Sequence, residues 1–169
     1  MKRREVKNLE IKEMPIQEKY GAIYDMWILE NATSYAFHKE QGTLNKYQDH
    51  QMEAWKGYMG PMFEMLKTIA PGENFKQVFN QMVYMQQMMM PLSEIDASLV
   101  SDREAVMRFK TCEMLKRSKE IIKKTGLNID PKFLCEMCRY RHFHPLHPIK
   151  DLATLDLEEN GCKWTFKLK

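Results

Sequence analysis

What this 169-residue chain lacks narrows its possibilities before anything it contains is considered. No apolar run approaches the roughly 18 residues that span a bilayer, and charge follows Met1 where a signal peptide would place an apolar core. Neither a membrane span nor export is therefore expected, and the sequence reads as cytoplasmic. A charge excess of one sign is also missing: 26 basic side chains stand against 23 acidic ones, mostly interleaved, which argues against a nucleic-acid partner. The one basic run, MKRREVK at the start, reads as a solvated terminus. Cysteine is scarce, with four in the whole chain, too few for a disulfide scaffold, and cytosolic thiols stay reduced. Internal repeats and low-complexity segments are absent as well.

What remains is a composition that folds. Hydrophobic residues make up 44% and charged ones 29%, and the length suits a single domain spanning 1–169, because a core of this size can bury about two-thirds of the unfolded surface. Residues 1–91 read as mainly helical. Tyr20, Ile23, Trp27, Ile28, Ala32, Tyr35 and Ala36 recur at helical spacing between about 16 and 41, with Gly42 as a stop. A second helical stretch runs from about 43 to 69, kinked or split at Gly60-Pro61. A third runs from Glu73 to Met90 and ends before Pro91.

After Pro91 the period changes. SEIDASLV and EAVMRFK alternate apolar and polar residues around a polar turn, the pattern of a hairpin. Helical spacing returns from Cys112 to Thr125, with Gly126 as cap, and a short helix is expected to begin with Asp130 as its cap and Pro131 as its first residue. DLATLDLE and CKWTFKL form a closing hairpin around Asn160-Gly161. The expected architecture is α+β, with N-terminal helices packed on a roughly four-stranded antiparallel sheet and two shorter helices between its hairpins.

All four cysteines fall in the C-terminal third, and CEMCRYRHFHPLHP (135–148) concentrates two of them with three histidines. Zinc takes four soft or borderline ligands in a tetrahedron. Cys135 and Cys138, one helical turn apart, could be completed by Cys112 and Cys162 at strand boundaries, or by His142, His144 or His147. The four thiols could equally hold an iron–sulfur cluster. A catalytic alternative uses Cys112, expected at a helix start where unpaired amides favour a thiolate, with His142 or His144 as proton-transfer partner. The third alternative is simple burial, a common fate of free cysteine. The 15 methionines, with Trp27, Trp55, Tyr84, Met85, Met88 and Met89, are compatible with an apolar cavity for a small molecule, with a malleable core, and with a homodimer face.

The succession RFKTC, a helix ending in TGL, LCEMC and finally GCKWTF resembles the L-2-amino-thiazoline-4-carboxylic acid hydrolase-like family over about the last 60 residues, through Cys112, Cys135, Cys162, Trp164 and Phe166. The resemblance implies hydrolysis of a small cyclic thioimidate- or amidine-like C–N bond, opening a thiazoline ring to an N-carbamoyl thiol. It carries Cys112 and Cys135 over as the catalytic residues. Where family members often have an acidic residue three positions after the second cysteine, this chain has Cys138, a departure that favours a metal. The closing hairpin, with its late cysteine before an aromatic strand, also resembles vinyl-4-reductase type small-molecule-binding domains, which implies a ligand sensor.

Overall fold

The computed structural model describes residues 15–169, so the basic run at the start lies outside the described residues. The helices are α1 (Ile16–Glu40), α2 (Leu44–Tyr58), α3 (Gly60–Lys67), α4 (Glu73–Met89), α5 (Glu113–Thr125) and α6 (Phe133–Phe143). The strands are β1 (Glu94–Leu99), β2 (Glu104–Thr111), β3 (Ala153–Leu157) and β4 (Cys162–Lys167), in one antiparallel sheet of order β1-β2-β4-β3. This is the expected α+β architecture. The expected break at Gly60-Pro61 separates α2 from α3, since proline supplies no amide to the preceding turn.

The two hairpins join through β2 and β4. Ala105, Met107 and Phe109 of β2 stand opposite Phe166, Trp164 and Cys162 of β4, which puts all six on one face. Ala153, Leu155 and Leu157 of β3 extend that face. The other face carries Arg108, Lys110, Lys163 and Lys167, and its ion pairs Arg108–Glu158 and Lys110–Asp96 are surface contacts.

Helices cover the apolar face. Phe75, Val78 and Phe79 of α4 and Leu66 of α3 pack on it, and Phe79 meets Phe166 edge to face at 5.8 Å. A second cluster joins Ile28, Ala32 and Tyr35 of α1 to Ile122 of α5 and Phe133, Leu134 and Met137 of α6. Met52, Met59 and Phe63 form a third between α2 and α3. The Arg117 guanidinium ties α1 to α5 by donating to Asp25 at 2.7 Å and to the buried Glu113 at 2.9 Å.

Three details differ from the sequence expectation. Helix α6 begins at Phe133 rather than at Pro131, because the Asp130 carboxylate accepts from the Lys132 amide at 2.7 Å and closes a turn before the helix starts. Strand β1 alternates as expected but is an edge strand beyond the helical cover, so Ile95 alone is half-buried and Leu99 is exposed. On α1, Ile23 is 68% exposed despite its helical spacing, because the buried stripe follows Ile28, Ala32 and Tyr35.

Candidate functional site

The local chemistry of the β2–α5 junction places Cys112. Its amide donates to the Asn160 carbonyl at 2.8 Å, pinning the β3–β4 turn against the end of β2, and Cys112 then caps α5 in extended backbone. The approach is so close that a Cβ on Gly161 would lie 1.8 Å from the Phe109 carbonyl oxygen, so only glycine fits there. That contact brings Cys112 and Cys162 to the same end of the sheet. Helix α6 crosses above them and presents Cys135 and Cys138, one turn apart.

The four thiols line a single apolar cavity of about 90 Å³ between the sheet and helices α4 and α6. His142, Trp164, Phe109 and Leu155 complete its walls. It adjoins a second lobe of about 110 Å³ toward α1, α2 and α3, lined by Trp27, Trp55, Arg141 and His147. Met82, Gln86, Cys138 and His142 line both lobes. Methionine supplies much of the wall: Met82, Met90, Met107 and Met114 around the thiol lobe, with Met59, Met62, Met85, Met89 and Met137 in the other. Of the aromatic and Met residues expected to enclose a cavity, Trp27, Trp55, Met85 and Met89 do so, whereas Tyr84 and Met88 are exposed.

Burial governs the thiols. Desolvation raises the pKa of Cys138 and of Cys162, and raises that of Cys135 to about 12. At Cys112 the amides of Leu115 and Met114 do lower the pKa, as a helix start should, but desolvation outweighs them and the net shift is upward. The expectation of an activated Cys112 thiolate is thus corrected: the helix terminus acts as predicted and loses to the apolar wall. All four cysteines are free thiols.

The histidines divide. His142 Nδ1 lies 2.8 Å from the Cys138 carbonyl, which can only accept, so Nδ1 carries the proton and Nε2 is a bare acceptor. Burial, reinforced by the nearby Arg141 charge, lowers the His142 pKa to about 4. His147 has the opposite tautomer: its Nδ1 accepts from the Ile149 amide at 3.3 Å, leaving the proton on Nε2, and burial lowers its pKa to about 3. Both rings are neutral at pH 7.

His144 is elsewhere. Its Nε2 pairs with Asp49 at 3.2 Å, Tyr140 donates to the same carboxylate at 2.5 Å, and the ring lines a shallow outer dish with Phe143 and Pro145. His144 is therefore corrected from proton-transfer partner of Cys112 to a surface contact between α2 and the end of α6. A metal site is not formed either: among the described residues no three His, Cys, Asp or Glu side chains are grouped as a metal ion would require. The expected set of Cys112, Cys135, Cys138, Cys162 and His147 is split between two lobes, with the four thiols facing one cavity and His147 opening on the other.

Sequence reasoning missed Arg141 and Gln86. Each is an ordinary polar residue on a helix, and its position in the wall depends on how α4 and α6 cross. One signal was present, since Arg141 lies within the Cys/His-rich stretch.

The chain matches no protein-family model, no curated protein and no solved structure. The likeness to the thiazoline-carboxylate hydrolase-like family rests on its short motifs, and what fold and site define together is a helix-covered antiparallel sheet enclosing a thiol-lined, two-lobed cavity. Among the described residues, no helix is long and apolar enough to cross a membrane.

Proposed function

We propose that this protein is a small-molecule-binding module whose ligand occupies the two-lobed cavity. One observation supports the reading above the rest: the space lies at the meeting of the three apolar clusters, where a protein built only for stability would close its packing. Methionine walls suit such a role because an unbranched thioether side chain adapts to ligand shape at little cost. Neutral thiols suit it too, as small apolar surface. The module belongs in a reducing compartment, the cytoplasm, where the thiols stay unoxidised.

Indole, a neutral apolar ring, tests the reading. At a concentration one hundred times its Kd it should stabilise the protein by about 2.7 kcal/mol and give a saturable heat of binding by calorimetry. Cys138→Met, which adds volume to the wall shared by both lobes, should abolish that binding while leaving the protein folded. Indole that neither gives a saturable heat nor stabilises, or that binds the Cys138→Met protein equally, would remove the reading.

Hydrolytic opening of a cyclic C–N-containing thioimidate is the second reading, favoured by His142, whose Nε2 is a bare acceptor, lining the chamber that holds Cys112 and Cys135. Water would add across the ring C=N bond, with His142 relaying its proton to the ring nitrogen; the tetrahedral carbon then forms the carbonyl as its C–S bond breaks, and the hydroxyl proton passes to the sulfur, which leaves as a thiol. Mass spectrometry of 2-amino-thiazoline-4-carboxylate incubated with the protein should then show the ring-opened N-carbamoyl thiol, lost in His142→Ala; an unchanged substrate removes this reading. A homodimer is part of the proposal, since Ile23 and Met26 of α1 and Tyr84 and Met88 of α4 leave apolar side chains exposed. Sedimentation equilibrium should give twice the 20.2 kDa chain mass.

A further inference from the structure

Arg141 occupies a position that burial alone does not explain. It is a half-buried guanidinium on α6 that lines the second lobe, and it is the one charged side chain lining either lobe among the described residues. Buried arginines are ordinarily paired with a carboxylate. Among the described residues no acidic group lies close enough to influence its charge; the groups that do are Cys138 and Tyr47, and the guanidinium sits over the Trp55 ring at 4.8 Å. The aromatic face supports the cation, and among the described residues its planar N–H fork has no acceptor.

Beside Asn31, whose amide donates to the Trp27 carbonyl at 2.8 Å, two more donors line the same lobe. The tautomer imposed on His147 puts its proton on Nε2, and Nδ1 is already occupied by the Ile149 amide. The Gln86 carboxamide makes no hydrogen bond with any other described residue and lines both lobes. A lobe with a cation, an imidazole N–H and an amide, and with no carboxylate in its wall, repels cations and favours a single negative charge. The guanidinium fork matches two coplanar oxygens. The adjoining thiol lobe has no charged side chain in its wall and is bounded by Phe109, Trp164 and Leu155.

We infer that the second lobe is a carboxylate site: Arg141, held on Trp55 and joined by His147 Nε2–H and Gln86, binds the acid group of an apolar monocarboxylate whose body extends into the thiol lobe. The inference rests on the binding reading above and adds to it the chemical class of the ligand and the residues that select it. Trp55 acts by positioning Arg141. His142, with its bare Nε2, faces the ligand body and contributes no donor.

Calorimetry on the full chain at pH 7.5 with 3-phenylpropanoate and its neutral amide, 3-phenylpropanamide, tests the assignment. The acid should bind at least tenfold more tightly than the amide. Arg141→Met should weaken the acid at least tenfold and change the amide less than twofold, and Arg141→Lys, which keeps charge and stem but loses the fork, should retain part of the preference. Circular dichroism and melting provide the folding control for Arg141→Met, and His147→Phe, which keeps a ring against Phe63, provides a second donor deletion that should weaken the acid alone. Equal affinity for acid and amide in the unaltered protein, or equal weakening of both by an Arg141→Met protein whose circular dichroism and melting temperature match the unaltered protein, overturns the carboxylate assignment while leaving the cavity a binding site. Failure of both compounds and of indole to bind overturns the binding reading, and this assignment with it.

Discussion

At the scale of single residues, two contacts decide the site. Gly161 lets the β3–β4 turn close onto β2, since a Cβ would meet the Phe109 carbonyl oxygen at 1.8 Å. Gly161→Ala must push the turn away or distort β2, at a cost of about 2–4 kcal/mol by urea denaturation; a change below about 0.5 kcal/mol would show that the turn relaxes freely. Cys112 shows the opposite balance of forces. Helix-start amides pull its pKa down and burial pushes it up, and burial wins because the thiolate would face apolar side chains. Ellman's reagent at pH 7.5 should therefore label all four thiols of the folded protein more slowly than free cysteine. A fast-reacting Cys112 would restore the nucleophile.

At the scale of elements, α6 and the turn after it hold nearly all the polar chemistry of the cavity. Burial lowers the pKa of His142 to about 4 and of His147 to about 3, against 6.5 for an unperturbed ring. The unfolded chain thus binds more protons than the folded one between these values. Both rings contribute their full stability above pH 6.5, and it is lost as pH falls toward 4. Between pH 7 and pH 5, above the range of most carboxylates, the unfolding free energy should drop by on the order of 2 kcal/mol per ring. Urea titrations at several pH values check this, and His147→Gln should remove about half the slope. A flat profile over that range would mean that both rings titrate in the folded state as they do in the unfolded chain.

At the scale of the molecule, the sheet order β1-β2-β4-β3 decides which parts open first. β2 and β4 are paired on both sides and lie under the helices, whereas β1 is an exposed edge. Hydrogen exchange should protect the amides of β2 and β4 most and those of β1 least among strands, and equal protection across the sheet would contradict the pairing. Much of this order was legible beforehand. Two hairpins, the break at Gly60-Pro61 and the cap at Gly126 follow from local period and turn chemistry, whereas the gathering of Cys112 and Cys162 with Cys135 and Cys138 depends on how the two hairpins pair and how α6 crosses them. The separation of His144 from His142 was not legible, because two residues at the end of a helix differ in direction by an angle that only the neighbouring α2 converts into cavity or surface.

The sequence by itself determined the elements and the faces they offer, because hydrophobic period, glycine and proline act within a few residues of where they stand. Tertiary structure decided the protonation of the thiols and imidazoles, and whether Arg141 finds a partner. Those properties depend on what is packed around a group from elsewhere in the chain, and desolvation there overrides the local pull of a helix terminus.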